Sequence, residues 1–313
     1  MTIQQLQYAL ALQKYGSFRE AALHLKISQP ALSLQMGKLE KELSLILFDR
    51  SKNPIYPTDE GKAFLDKANA IVQDTNDLLD FAKNISEPLK GRLKIGIIPT
   101  LAPFLVPLFA YTFQDHYGDI ALDINEMITE QVIKGVRKGQ LDVGILSTPL
   151  TAGGIDTEVL FYEKFFLYAS TKVPELQRTL AAIDYRKLWL LDEGNCFRDQ
   201  MNNFCDVSKI RENKDFIYRS NSIDALIRIV DSKGGMTILP ELTTLMLSAE
   251  QEENITVIGE DQFKAREVGL IKRSKTNKDL MISKLADHIK KSIPKSMLQA
   301  YNLEIVDPNI QVS

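Results

Sequence analysis

Between residues 3 and 43 apolar side chains recur at helical spacing in three short runs. The first spans about Ile3 to Lys14 and ends near Gly16, and the second passes through Ala21, Ala22 and Leu25. The third sets Leu32, Met36, Leu39 and Leu43 on one face by a 4, 3, 4 spacing. Ser17-Phe18-Arg19-Glu20 has the form of a capping box, a hydroxyl at the N-cap and a carboxylate three residues on. Ser28 is placed to cap the third helix, with Pro30 in its first turn, where a missing N–H costs little. The face of that helix opposite the leucines carries Gln29, Pro30, Ser33, Leu34 and Lys38. Two helices joined by a short turn have the helix-turn-helix geometry, which lays the second of them in a DNA major groove. Leu47-Phe48-Asp49-Arg50 and Ile55-Tyr56 flank a Ser-Lys-Asn-Pro turn and read as a two-stranded wing, with Arg50 and Lys52 placed to reach phosphate.

From about Thr58 to Glu87 the pattern becomes one long helix, stopped by Pro88. Phe64, Ala68, Ile71, Thr75, Leu78, Ala82 and Ile85 alternate 4 and 3, a heptad seam that predicts side-by-side packing of two helices and hence a dimer. Glu87-Pro88-Leu89-Lys90-Gly91 reads as a hinge. This division expects a DNA-binding head at 1–58, a linker helix at 59–88 and a regulatory body at 89–313.

In the body, strands alternate with helices. Leu93–Ile98, Leu122–Glu126, Val143–Leu146, Leu188–Leu191 and Met236–Leu239 read as strands. Pro103–Tyr117, Glu130–Gly139, Ile223–Ser232, Pro240–Ser248 and Asp279–Ser292 read as helices. The expectation is an α/β body with mostly parallel sheets, large enough for two lobes around a cleft.

The chain has 313 residues, long enough for about two domains. Hydrophobic residues at 44% and charged residues at 25% exclude wholesale disorder. Net charge is −3, yet residues 1–58 hold seven basic groups and four acidic ones. A basic head on an acidic body suits a module that meets phosphate. Ile95 to Phe113 carries no charge, but Pro99, Pro103 and Pro107 interrupt it, so it reads as a strand followed by a helix rather than a membrane span. The first residues lack a basic n-region followed by an apolar h-region, and two cysteines cannot staple a chain of this length. The expectation is a cytoplasmic protein with no membrane contact.

Gly16-Ser17-Phe18, Ala21-Ala22, Ser28-Gln29-Pro30-Ala31-Leu32-Ser33, Gln35, Leu39-Glu40, Leu47-Phe48-Asp49-Arg50 and Thr58-Asp59-Glu60-Gly61 together resemble the head of LysR-type transcriptional regulators. The resemblance implies a winged helix-turn-helix, a coiled-coil linker helix and a two-lobed, periplasmic-binding-protein-like regulatory domain. Its lobes would be about 91–160 plus 268–300, and 161–267. It also implies double-stranded operator DNA, RNA polymerase and further copies of the chain, usually as a tetramer, as partners. Leu34 and Gly37 stand where many members carry a basic or polar residue, and a helical Gly costs roughly 1 kcal/mol against Ala.

In the body, Leu191-Asp192-Glu193-Gly194-Asn195-Cys196-Phe197-Arg198-Asp199-Gln200, closing at Phe204-Cys205, resembles the redox segment of hydrogen-peroxide-sensing members of that family. Ile95–Thr100, Thr129, Arg219–Ser222 and Gly235–Pro240 extend the likeness. The resemblance implies that Cys196 is the thiol that meets peroxide and that Cys205 then forms a disulfide with it. Thr100, Thr129, Gln200 and Arg266 would hold the peroxide, with Arg198 adding positive charge. Asn195 stands where some of those members have His, and it cannot relay a proton.

The chemistry is consistent with that assignment. Only the thiolate attacks peroxide, so its pKa must be depressed, and a helix N-terminus supplies N–H groups that favour the anion. Were residues 197–205 helical, they would span ~13–14 Å, against the ~7 Å limit for a disulfide, so the helix would have to unwind. Two structural cysteines are the ordinary alternative, with a small metabolite in the interlobe cleft then acting as the trigger. A thiol peroxidase is a further alternative, though beyond the thiols no catalytic framework is visible. His24, His116 and His288 are scattered without metal-ligand spacing, and no phosphate loop or dinucleotide fingerprint is present, so no cofactor is expected.

Overall fold

The computed structural model describes residues 1–86, 89–174, 184, 187–191, 196–203, 220–259 and 261–310. The chain divides into two compact units, Met1–Ser86 and Glu87–Ser313.

The first unit runs α1 (Ile3–Tyr15), α2 (Phe18–Leu25), α3 (Gln29–Leu43), β1 (Phe48–Asp49), β2 (Tyr56–Pro57) and α4 (Asp59–Ser86). The reciprocal capping box forms at Thr2 and Gln5, while the Ser17 hydroxyl accepts the Glu20 N–H at 3.4 Å. Ser28 accepts from the Ala31 N–H at 3.3 Å, with Pro30 in the first turn as expected. Gly16 closes α1 at φ +59, and a Cβ there would stand 2.9 Å from that of Pro54. Leu12, Ala21, Ala22, Leu32, Met36 and Leu39 form the core of this unit. β1 and β2 pair antiparallel as the wing.

The junction of wing and linker explains two of the sequence signatures. Thr58 Oγ1 donates to the Ile46 carbonyl at 2.7 Å and accepts the Gly61 N–H at 2.9 Å, tying the start of α4 to the chain before the wing. A Cβ at Gly61 would lie 2.1 Å from the Leu47 carbonyl oxygen, so no side chain fits there.

The heptad seam divides. Ala68 is buried with Leu6 and Val72, and Phe64 packs beside them, so these two expected dimer contacts are used within their own unit. The reason is local: the first turns of α4 must cover the apolar flank of α1. Ile71, Leu78 and Ala82 remain exposed, and Ile85 lies in the last turn of α4.

The second unit runs β3 (Gly91–Ile97), α5 (Ala102–His116), β4 (Ile120–Glu126), α6 (Thr129–Arg137), β5 (Val143–Thr148), β6 (Ile155–Ala169), α7 (Cys196–Asn202), α8 (Ile223–Lys233), β7 (Met236–Pro240), α9 (Glu241–Thr244), α10 (Ala249–Glu252), β8 (Ile255–Val257), β9 (Phe263–Arg273), α11 (Asp279–Ser292) and β10 (Leu303–Ile305). The sheet order is β4-β3-β5-β9-β6-β7, with β10 beside β9 and β8 beside β6.

The expectation of mostly parallel sheets is corrected. β3 is parallel to β4 and β5, and β10 to β9, but β5/β9, β6/β9, β6/β7 and β6/β8 are antiparallel. The antiparallel pairs come from β6 and β9, two long strands missing from the sequence reading. Their charges, Glu158, Glu163 and Lys164 in one and Lys264, Arg266 and Glu267 in the other, break the apolar run that marks a buried strand. β6 pairs with β9 through its first half and with β7 and β8 through its second, and its register slips between Val159 and Phe161. The two lobes are therefore joined by strands that run from one into the other. Among the described residues Leu188–Leu191, expected as a strand, makes a single bridge, Leu188 to Met236.

α5 carries Pro103 in its first turn and Pro107 within it. Among the described residues no helix is long and apolar enough to cross a membrane.

Candidate functional site

The parallel strands β4, β3 and β5 end at a common edge. Ile97 stands opposite both Glu126 and Ile145, and three residues beyond these register partners come Thr100, Thr129 and Thr148. The carboxyl ends of parallel strands are the usual place for a ligand in an α/β sheet. Thr100 and Thr148 are fully buried and Thr129 nearly so.

Arg266, on β9, enters from the antiparallel side. Its side chain has no solvent exposure. Nη1 donates to Thr100 Oγ1 at 2.9 Å, Nη2 reaches the Thr100 carbonyl at 3.5 Å, and Nε donates to Glu163 Oε1 at 2.6 Å. Glu163, on β6, is equally buried and forms the ion pair, with Nη2 also 2.6 Å from the same oxygen. Its second oxygen accepts the Leu242 N–H in the first turn of α9 at 3.1 Å. Burial pushes the Glu163 carboxyl above the ordinary carboxylate range, while the Arg266 charge and the Leu242 N–H pull it down.

α7 closes the site. The Phe197 ring lies 5.1 Å from the Arg266 guanidinium and meets Phe165 edge-on at 5.4 Å. α7 begins at Cys196, and Gln200 follows one turn later. Gln200 is fully buried. Its Nε2 donates to the Val306 carbonyl at 2.8 Å, and its Oε1 has no partner among the described residues. The chain after β10 holds α7 from the far side, because Val306 N donates to Ala265 O and Asn203 Nδ2 donates to Asp307 O at 2.9 Å.

The structure thus joins Thr100 and Arg266 directly, and brings Gln200 to the residues beside Arg266 through Val306. Arg198 Nη1 donates to the Leu191 carbonyl at 2.9 Å. α7 ends at Asn202, and its seven residues span ~9 Å. Cys205 and Asn195, and with them the pairing and the relay position, lie outside the described residues, as does Pro88. Glu163, Phe197 and Thr148 were missed. The one signal for Glu163 was a carboxylate inside the apolar run Val159–Ala169, since a charge is buried only when paired.

On the first unit, Ser28, Gln29, Pro30, Leu34, Lys38, Arg50 and Lys52 are exposed and Ser33 half-buried. Arg50 is already engaged: Nη2 donates to Glu40 Oε2 at 2.6 Å, and the guanidinium lies 5.1 Å from the Phe18 ring. The other Glu40 oxygen accepts from the Leu47 and Phe48 N–H groups. Arg50 therefore latches the wing to α3, and Lys52 sits 3.7 Å from Asp49.

Family models describe both units. Residues 3–62 match a bacterial regulatory helix-turn-helix protein of the lysR family, and residues 86–294 match a LysR substrate binding domain. The chain belongs to the LysR-type transcriptional regulators. A Haemophilus influenzae protein described as a hydrogen peroxide-inducible genes activator is 32% identical over 249 residues, covering 78% of this chain and 82% of that protein. A full-length OxyR variant from Pseudomonas aeruginosa superposes with a TM-score of 0.73 at 26% identity, covering 93% of this chain and 98% of that one. An H2O2-bound OxyR variant from Corynebacterium glutamicum gives a TM-score of 0.57 at 26% identity, covering 93% of this chain and 92% of that one.

Within the LysR-type fold, the described residues contain no group of three His, Cys, Asp or Glu able to hold a metal. The second unit also has a separate cavity of about 200 Å3, lined by Phe104, Arg228, Thr243 and Leu247 among others, where the buried Thr243 hydroxyl lacks a partner among the described residues.

Proposed function

We propose that this LysR-type regulator senses hydrogen peroxide through Cys196 and passes the signal to operator DNA. The Cys196 thiolate attacks one peroxide oxygen; the S–O bond forms as the O–O bond breaks, and hydroxide leaves and is protonated to water. The sulfur is oxidised by two electrons to a sulfenic acid. The Cys205 thiol then displaces water from that sulfenic acid and closes a disulfide. Thr100, Thr129, Gln200 and Arg266 bind the peroxide and stabilise the departing hydroxide. The crosslink refolds the segment between the cysteines, and the linker helices carry the change to the heads of a homotetramer acting with RNA polymerase.

One observation carries this reading: a fully buried arginine, in contact with a threonine hydroxyl, lies under the first turn of the helix that starts at Cys196, and a buried glutamine on that helix keeps an unfilled acceptor. Such an unfilled acceptor suits a small hydrogen-bonding ligand, and peroxide carries two donors.

The test is mass spectrometry of the peptide containing residues 196–205 before and after stoichiometric peroxide, in the parent and in Cys196→Ser. The expected result is loss of two hydrogens in the parent, with the operator response to peroxide lost in the variant. The cavity beside Thr243 favours one alternative trigger, a small metabolite with inert cysteines. A full peroxide response in Cys196→Ser would remove the sensor reading and leave that alternative. Turnover far above one peroxide per subunit with a thiol reductant would instead indicate a peroxidase.

A further inference from the structure

We propose that Glu163 is the positioning residue that aims Arg266 at the peroxide. This rests on the proposed function and extends it to a residue that touches neither the thiol nor the oxidant.

A guanidinium has five N–H donors in a rigid plane. Glu163 Oε1 takes Nε–H and one Nη2–H, both at 2.6 Å, along a single edge of that plane. Thr100 takes the second Nη2–H through its carbonyl and one Nη1–H through its hydroxyl. One Nη1–H is left over among the described contacts, beside the Thr100 hydroxyl. With Thr100 Oγ1 filled as an acceptor, its own O–H proton is free to be given away. The two unspent donors therefore sit together, where a departing hydroxide needs them.

Glu163 fixes that geometry because it is itself fixed at both oxygens. Oε2 is held by the Leu242 N–H, and the neighbouring Glu241 carboxylate accepts the Lys164 N–H at 3.0 Å, so β6 and α9 clasp each other on both sides of Glu163. The carboxylate cannot swing toward the peroxide, and the arginine cannot turn its occupied edge there. Phe197 covers the guanidinium, leaving rotation in the plane as the freedom that Glu163 removes. The ion pair also offsets the arginine charge, so the site presents directed donors rather than a bare cation.

The test uses the full chain carrying Cys205→Ser, so that oxidation stops at the sulfenic acid, and compares Glu163→Gln, Glu163→Asp and Arg266→Gln. Two rates are read at Cys196: oxidation by hydrogen peroxide, and alkylation by iodoacetamide at a pH where the thiol is ionised. Peroxide cleavage needs a stabilised leaving oxygen; alkylation does not. Glu163→Gln is expected to slow oxidation by about 10- to 100-fold, the scale of a misplaced catalytic group, with alkylation unchanged. Glu163→Asp keeps the charge but loses reach, so it is expected to slow oxidation too, and it carries the test should the Gln variant not fold. Thermal unfolding and operator binding by the reduced forms report folding.

If both rates fall together, Glu163 only supports the fold and the proposal is overturned. It is likewise overturned if Arg266→Gln is slow while both Glu163 variants match the parent. If Cys196 of the parent is not oxidised, or Arg266→Gln reacts at the parental rate, the reading of the site has failed first and this inference fails with it.

Discussion

Gln29, Pro30, Leu34 and Lys38 stand in solvent on one helix, α3, whereas Thr100, Glu163, Gln200 and Arg266 are fully buried and reach across as many as 166 residues of chain. The first group is held up by a core on the opposite side of the same helix, so its members touch nothing they must satisfy. The second group is held by the fold around it: Glu163, Arg266 and Thr100 partner one another, and Gln200 is held by the Val306 carbonyl. Substitution should therefore change binding alone in the first group, and binding together with folding in the second.

The largest expected effect tests the second half of that contrast. Arg266→Met strands the Glu163 carboxylate in the core, and removing one member of a buried pair costs about 3–5 kcal/mol. Urea unfolding of the reduced chain measures it, and a midpoint equal to the parent's would show that the two groups do not depend on each other. Next comes the exposed stripe of α4. Ile71→Asp is expected to abolish the dimer and specific operator footprinting while leaving the head folded, because Ile71 is 43% exposed and it is Ala68 and Val72 of α4 that are buried against Leu6. A variant that sediments as a dimer and still footprints would count against the stripe as an interface.

A smaller effect tests the first unit. Lys38→Ala should leave stability within about 0.5 kcal/mol yet weaken operator binding and reduce the slope of log affinity against log salt by about one. Lys52→Ala should do the same. Arg50→Ala should instead cost stability, since Arg50 latches the wing through Glu40. An unchanged salt slope in Lys38→Ala would remove that residue from the phosphate-facing set.

The smallest effect concerns pH. His288 packs against His116 with ring centroids 5.4 Å apart and contacts Thr112 Oγ1 at 2.9 Å. Burial, then the charges of His116 and Lys291, hold its pKa below the ordinary histidine value. The unfolded chain therefore takes up a proton near pH ~6.5 that the folded one refuses. The stabilisation is present above that pH and is lost as the pH falls through the lowered pKa. A thermal scan from pH 7.5 to 5.5 should show His288→Gln losing less stability than the parent, and parallel curves would exclude His288.

How much was legible differed between the two units. Ser28, Pro30 and the leucine spacing of α3 marked the recognition helix because capping and periodicity act within a few residues. Asp279–Ser292 was likewise legible from its own period. β6 and β9 were not, since their charged residues are paired with residues far away in sequence, and a lone glutamate in an apolar run looks like an interruption until its arginine is known. His24, His116 and His288 read as scattered, yet α5 and α11 bring the last two into contact.

By itself, then, the sequence determined the elements whose causes are local: helix periods, caps, the turn of the wing and the placing of Cys196 before a helical stretch. Only the tertiary structure decided which face of α4 was already taken by α1, that Arg50 belongs to Glu40, and that Glu163 stands between Arg266 and α9. The physical reason is that local propensities are satisfied within a turn or two of chain. A buried charge is satisfied only by whatever the fold carries to it, and nothing in its own neighbourhood names that partner.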